Sequence, residues 1–163
     1  RHLLDSRETL LNILDELATP VLPLLPGIVM SPIVGSVDTR RMLQMTTTLL
    51  HSVDQEKARV ALIDITGVPV VDTHVASALI DLARSARLMG CRSVIVGIRP
   101  ETAQAMIGLG IDLSEFITHA TLADGLRTAL TIVGYRLERH PKEQRNGGYS
   151  EASARALTIL PNV

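Results

Sequence analysis

The sequence predicts an α/β layer fold, with strands and helices alternating along one chain. Three observations carry that expectation. Short strand-length runs, such as Val60 to Ile63 and Ser93 to Gly97, are each followed by a helical pattern. After the first of these the pattern is Val75, Leu79, Leu82, Ala86 and Met89, at spacings of four, three, four and three. Apolar residues make up 46% of the 163 residues but aromatics only 2%, so the core must come from Leu, Ile, Val, Ala and Met. Such a composition suits helices packed on a sheet, with right-handed crossovers between parallel strands.

The elements follow in order. Leu3, Leu10, Ile13 and Leu17, with Ser6 at the remaining seam position, predict a helix of about four turns that ends before Thr19-Pro20. A lone helix of that length is marginal, so its stripe packs on its own domain or forms a two-stranded coiled-coil linker from an upstream domain. The chain begins with Arg1 in what reads as mid-helix, as a piece of a longer protein would. Val21 to Leu25 and Ile28 to Val34 read as two strands across a Pro26-Gly27 turn. Proline cannot donate to a ladder, which places the first strand near a sheet edge. Gly35 to Asp38 supplies a turn and a cap for a helix with Met42, Met45, Leu49 and Val53 inward. Thr46, Thr47 and Thr48 lie mid-helix and read as solvated or back-bonded.

After the polar turn Asp54-Gln55-Glu56-Lys57, the strand Val60 to Ile63 leads into Asp64-Ile65-Thr66-Gly67-Val68-Pro69-Val70-Val71-Asp72-Thr73-His74. That stretch reads as a short Gly/Pro-containing loop opening a helix, which Gly90 ends. Ser93 to Gly97 is the next strand, and Arg99-Pro100-Glu101 opens a short helix that Gly108-Leu109-Gly110 stops. Phe116-Ile117 reads as a brief last strand. Thr121 begins a helix carrying Leu122, Leu126, Ala129, Val133 and Leu137 on one face. From His140 to Tyr149 the chain is polar and Gly-rich, a linker or disordered tail, with a helical turn or two expected in Ala152 to Leu160. The expected division is a linker helix over residues 1–18, a domain over 19–139 and a polar tail over 140–163.

Charge and motif spacing narrow the function. Sixteen basic against seventeen acidic residues give no pull towards nucleic acid or an anionic membrane, and the scarcity of aromatics argues against base stacking. The most apolar region, Val21 to Gly35, is short and broken by Pro23, Pro26 and Pro32, a poor membrane span. Cys91, the single cysteine, reads as reduced and structural, which suits a cytoplasmic setting. Neither nucleotide-binding Gly-rich fingerprint is present, and the five histidines are dispersed, so no cofactor or metal site is expected. Asp72-Thr73-His74 places three suggestive side chains together, but adjacent helical residues point in different directions and do not form a relay. No catalytic residue is assigned. With Asp72 as N-cap and Thr73 as first helical residue, the Thr73 hydroxyl is either a simple cap or a phosphorylation switch. No Glu or Gln completes a capping box.

Asp64-Ile65-Thr66-Gly67-Val68 followed by Val71-Asp72-Thr73 resembles the phosphorylation loop of STAS domains, the anti-sigma-factor antagonist family. Asp64 to Ala76, Val96 to Gln104 and Leu109 to Leu113 are similar, more narrowly, to RsbR-type stressosome proteins. Pro20 to Leu24 and Pro32 to Asp38 fit the same family's opening hairpin, so the resemblance spans residues 20–137. It implies a small mixed β-sheet with helices mainly on one face, preceded by a linker helix from a sensor domain. It further implies a non-catalytic cytoplasmic scaffold that assembles with itself and an RsbS-like partner. Such a scaffold holds an RsbT-like switch kinase, releases it on phosphorylation, and is reset by an RsbX-like phosphatase. By the match Thr73 is the phosphoacceptor, while Asp64, Thr66, Gly67, Asp72 and His74 shape the loop and partner surface. The family's second acceptor position is Ala105 here, and Thr102, on nearly the same helical face, is either an alternative acceptor or a first-turn structural threonine. The rival functions are a stand-alone anti-sigma antagonist binding a sigma-inhibiting kinase, and a ligand-binding STAS sensor.

Overall fold

A computed structural model describes residues 20–139 and 157–161, together with Ser6, Arg7, Thr9, Leu10 and Ile13, which are helical and exposed. Leu3 and Leu17 of the expected leading stripe lie outside the described residues, as does the Gly-rich segment from His140 to Tyr149. The strands are β1 (Leu22–Leu25), β2 (Ile28–Val34), β3 (Val60–Gly67), β4 (Arg92–Val96) and β5 (Phe116–Thr118). They form one sheet in the order β1-β2-β3-β4-β5. β1 pairs antiparallel with β2, and every other pair in this sheet is parallel. The helices are α1 (Thr39–Gln55), α2 (Thr73–Leu88), α3 (Pro100–Gly108) and α4 (Leu122–Val133). A separate antiparallel pair, β6 (Tyr135–Arg139) with β7 (Leu157–Pro161), follows.

The sheet is mixed and both faces are covered. On β3, Ala61, Ile63 and Ile65 join a cluster with Met42, Met45, Leu49 and Val53 of α1, Val75, Leu79 and Leu82 of α2, and Met106 of α3. The alternate residues Val60 and Leu62 join Val94, Val96, Ala129 and Leu130 on the α4 side. Period-two alternation thus gives a central strand two apolar faces, which is why its sequence reads as an unbroken apolar run. Each fully buried Val, Leu, Ile or Met side chain among these contributes about 1.5–3 kcal/mol. Helix α4 approaches so closely that a Cβ on Gly125 would collide with Val96 Cγ1 and stand 3.3 Å from Leu62 Cδ2. Three helices therefore share one face and one helix covers the other.

Local chemistry explains the element ends. Gly27 takes φ +88 in the β1–β2 turn, a conformation that favours glycine. Asp38 caps α1 by accepting the Arg41 amide at 2.7 Å. Thr46 and Thr47 donate back to the carbonyls of Met42 and Leu43 at 2.9 and 3.0 Å, the bland role expected of them.

Three expectations need correction. β3 does not stop at Ile63: Asp64 pairs with both Pro32 and Val96, Ile65 is buried, and the ladder to β2 runs on to Gly67 opposite Val34. Asp64, Thr66 and Gly67 therefore sit on a strand end and not in a loop. Helix α4 ends at Val133, because Gly134 takes φ 90 and its amide caps Leu130 and Thr131. Leu137 then lies on β6, yet still packs on the α4-side cluster, so its helical spacing was a coincidence of burial. Finally, Leu157–Pro161 is a strand where a helical turn was expected; residues 152–156 of that segment lie outside the described residues.

Cys91 is fully buried, and burial pushes its thiol up from 9.0 to about 11. The native state favours the neutral thiol, so this contribution is complete below pH 9.0 and is lost as pH rises through about 11. Urea denaturation from about pH 8 to about pH 11 should therefore show an alkaline loss of stability that Cys91→Ala reduces. An identical pH dependence in the variant would contradict this.

Candidate functional site

Because β2, β3 and β4 run parallel, the loops that follow them emerge at one edge of the sheet. Backbone and side-chain bonds tie these loops together. The Gly35 amide donates to Gly67 O at 2.9 Å. Arg41 donates to Val34 O and Ser36 O at 2.6 and 2.7 Å, and Arg99 donates to Val68 O at 2.9 Å. Val68 and Val71 are buried and pin the loop after β3 into the α1–α2 core. Val70, between them, is 69% exposed. The loop is anchored at Val68 and Val71 and presents Pro69 and Val70 outward.

At the end of β3 the half-buried Asp64 accepts at Oδ1 from the Thr66 amide at 2.9 Å and the Thr66 hydroxyl at 2.6 Å. Gly97, just beyond β4, lies against this turn with φ +79, and a Cβ there would strike Thr66 Oγ1 and come within 2.7 Å of Asp64 Oδ1. Asp64, Thr66 and Gly97 are thus one packed unit.

Thr73 is the first residue of α2 and is exposed. Asp72 is its N-cap, and the Asp72 carboxylate accepts the Val75 amide at 2.8 Å. His74 turns to the neighbouring helix, where Nε2 lies 2.7 Å from Thr39 Oγ1, the first residue of α1. Asp72 and His74 are therefore each committed to another partner, and no nucleophile–base–acid relay forms around Thr73. Among the described residues, no group of three or more His, Cys, Asp or Glu is arranged to hold a metal. No helix among them is long and apolar enough to cross a membrane.

The structure thus brings Asp64, Thr66, Gly67, Asp72, Thr73 and His74 to one edge. It does not do so for Thr102, which is 8% exposed and packs inward with Met106, one helical turn on. Thr102 therefore fits a first-turn structural threonine and not an open acceptor, and the Thr102–Met106 spacing of four already carried that signal. Ala105 is exposed. Sequence reasoning missed Thr39, Arg41 and Gly97. Gly97 alone had a local cue, a glycine directly after a strand.

Known proteins share this mixed-sheet fold. The STAS domain profile matches residues 19–125. The chain belongs to the STAS domain family. Within that family it is 44% identical over 124 residues to the RsbT co-antagonist protein RsbRA of Bacillus subtilis (strain 168), covering 76% of this chain and 45% of that protein. It therefore spans less than half the length of that curated relative. Among solved structures it resembles a variant of RsbS from Moorella thermoacetica, with TM-score 0.61, 29% identity and coverage of 70% of this chain and 96% of that one. A chain from a structure describing the molecular architecture of the stressosome matches with TM-score 0.56 and 27% identity, covering 69% of this chain and 97% of that one.

Gly97→Ala should destabilise the domain by about 3 kcal/mol, the sum of a left-handed backbone penalty and overpacking against Thr66. A urea midpoint equal to that of the unsubstituted protein would show that Gly97 does not brace the Asp64–Thr66 turn.

Proposed function

We propose that the chain is the STAS module of an RsbR-like stressosome scaffold, with no catalytic role of its own. In this reading it holds an RsbT-like serine/threonine kinase and releases it when Thr73 is phosphorylated. The observation that carries the proposal is the placement of Thr73: exposed, first in α2, on an edge braced by three loops. The identity to an RsbT co-antagonist supports the choice of kinase class, and the likeness to a stressosome chain supports the assembly.

The physical effect of phosphorylation follows from the site. A phosphate on Thr73 adds roughly −1.5 to −2 charges at a helix N-terminus. The free amides and dipole of the first turn favour that charge, whereas the capping Asp72 carboxylate repels it. A surface that is small and neutral at Thr73 becomes bulky and strongly anionic. A partner fitted to the first state loses both shape and charge match in the second. An RsbS-like STAS protein is the co-assembling partner in this reading and an RsbX-like phosphatase restores the first state. Residues 1–18 act as the linker from a sensor domain and residues 19–139 as the STAS domain, to which β7 is paired through β6. The setting is cytoplasmic.

Incubation with the cognate kinase and ATP should label the protein, and Thr73→Ala should remove most of that label. Undiminished labelling of Thr73→Ala would remove Thr73 as the principal acceptor.

A further inference from the structure

The site contains a contact that the switch reading does not use. His74 follows Thr73 directly, yet its ring bonds across to Thr39, so the first turns of α1 and α2 are tied side chain to side chain at 2.7 Å. The two turns are built alike. Asp38 caps α1 and Thr39 is its first residue; Asp72 caps α2 and Thr73 is its first residue. From the tie, a groove of about 290 Å³ runs between the helices, lined by Thr39, Met42, Leu43, His74, Ala78 and Asp81 among others.

We infer that the Thr39–His74 pair is a clasp through which a charge placed on Thr73 is felt by α1, making His74 a positioning residue of the switch. The inference rests on Thr73 being the phosphoacceptor. Adjacent helical side chains point in different directions, so a phosphate on Thr73 acts on His74 through its field and does not displace Thr39 from the ring. That field favours a positively charged ring, whose Nε2–H donates to Thr39 Oγ1 in a charge-assisted bond, stronger than the neutral one. Other charged groups stand on the two helices around the clasp. On α2 these are Asp72, held by the Val75 amide, and Asp81, along the same groove. On α1 they are Asp38, held by the Arg41 amide, then Arg40, and Arg41, whose guanidinium is turned to the Val34 and Ser36 carbonyls. Phosphorylation therefore tightens α1 against α2 and fixes the mouth of the groove. The acceptor helix alone would show a local change; the clasp extends it to a second helix.

The test uses phosphothreonine installed at position 73 during translation, which needs no kinase and is independent of the labelling experiment. Amide hydrogen exchange is read at the first turn of α1, and the His74 ring nitrogens are followed by NMR. Phosphothreonine should slow exchange in that turn by about threefold, the gain expected when a neutral hydrogen bond becomes charge-assisted. Thr39→Val and His74→Ala should each abolish the slowing, while Thr39→Ser, which keeps the hydroxyl, should retain it. The inference is overturned if phosphothreonine leaves α1 exchange unchanged or faster. It is equally overturned if the slowing persists in Thr39→Val. Undiminished kinase labelling of Thr73→Ala would instead sink the functional reading while leaving the mechanical coupling measurable.

Discussion

The parallel pairing of β3 with both of its neighbours is the constraint on which the rest depends. Val60 to Asp64 is laddered to β2 on one side and β4 on the other, and all three strands run the same way. Their C-terminal ends must therefore emerge together. Each parallel strand also needs a crossover helix to return the chain, so the first turns of α1, α2 and α3 are carried to that same edge. Burial holds the arrangement in register: Ala61 and Ile63 face α1 and α2, while Val60 and Leu62 face α4. A slip of one residue would reverse every one of these side chains, so register is tightly specified.

The edge that results is rigid where it must be and open where it acts. Arg41 and Arg99 reach carbonyls of loops after β2 and β3, and the Gly35 amide closes on Gly67. Those bonds satisfy backbone groups that would otherwise need water. Anchoring by Val68 and Val71 leaves Val70 and Thr73 on the surface. A hydroxyl held this way changes charge on modification without requiring the core to move. That suits a scaffold read by a partner better than a catalytic pocket. Neither the Asp72 carboxylate nor the His74 ring is available to activate Thr73.

Much of this was legible in the sequence, and the reasons differ by element. The strand–helix alternation, the inward face of α1 and the caps Asp38 and Asp72 follow from period and capping chemistry alone, and all are present. The end of β3 was not legible, because Asp64 and Gly67 look like loop residues until their ladder partners are known. Leu137 misled for the opposite reason: it kept helical spacing while a left-handed glycine had already ended the helix. At the site, the Asp72-Thr73 pair and its strand-to-helix setting could be read locally. The Thr39–His74 contact could not, since it joins residues 35 positions apart. Thr102 is the first-turn structural threonine, because the face it shares with Met106 is the buried one.

On the proposed function, the edge built from the loops after β2 and β3 is the kinase-binding surface and Thr73 controls it. Hydrogen-exchange footprinting of an RsbT-like kinase on the domain tests this most directly. The predicted footprint slows exchange across residues 34–41 and 64–75 and spares α4, and it disappears when phosphothreonine occupies position 73. A footprint on α4 or on β6–β7, or one that survives phosphothreonine at position 73, would contradict it.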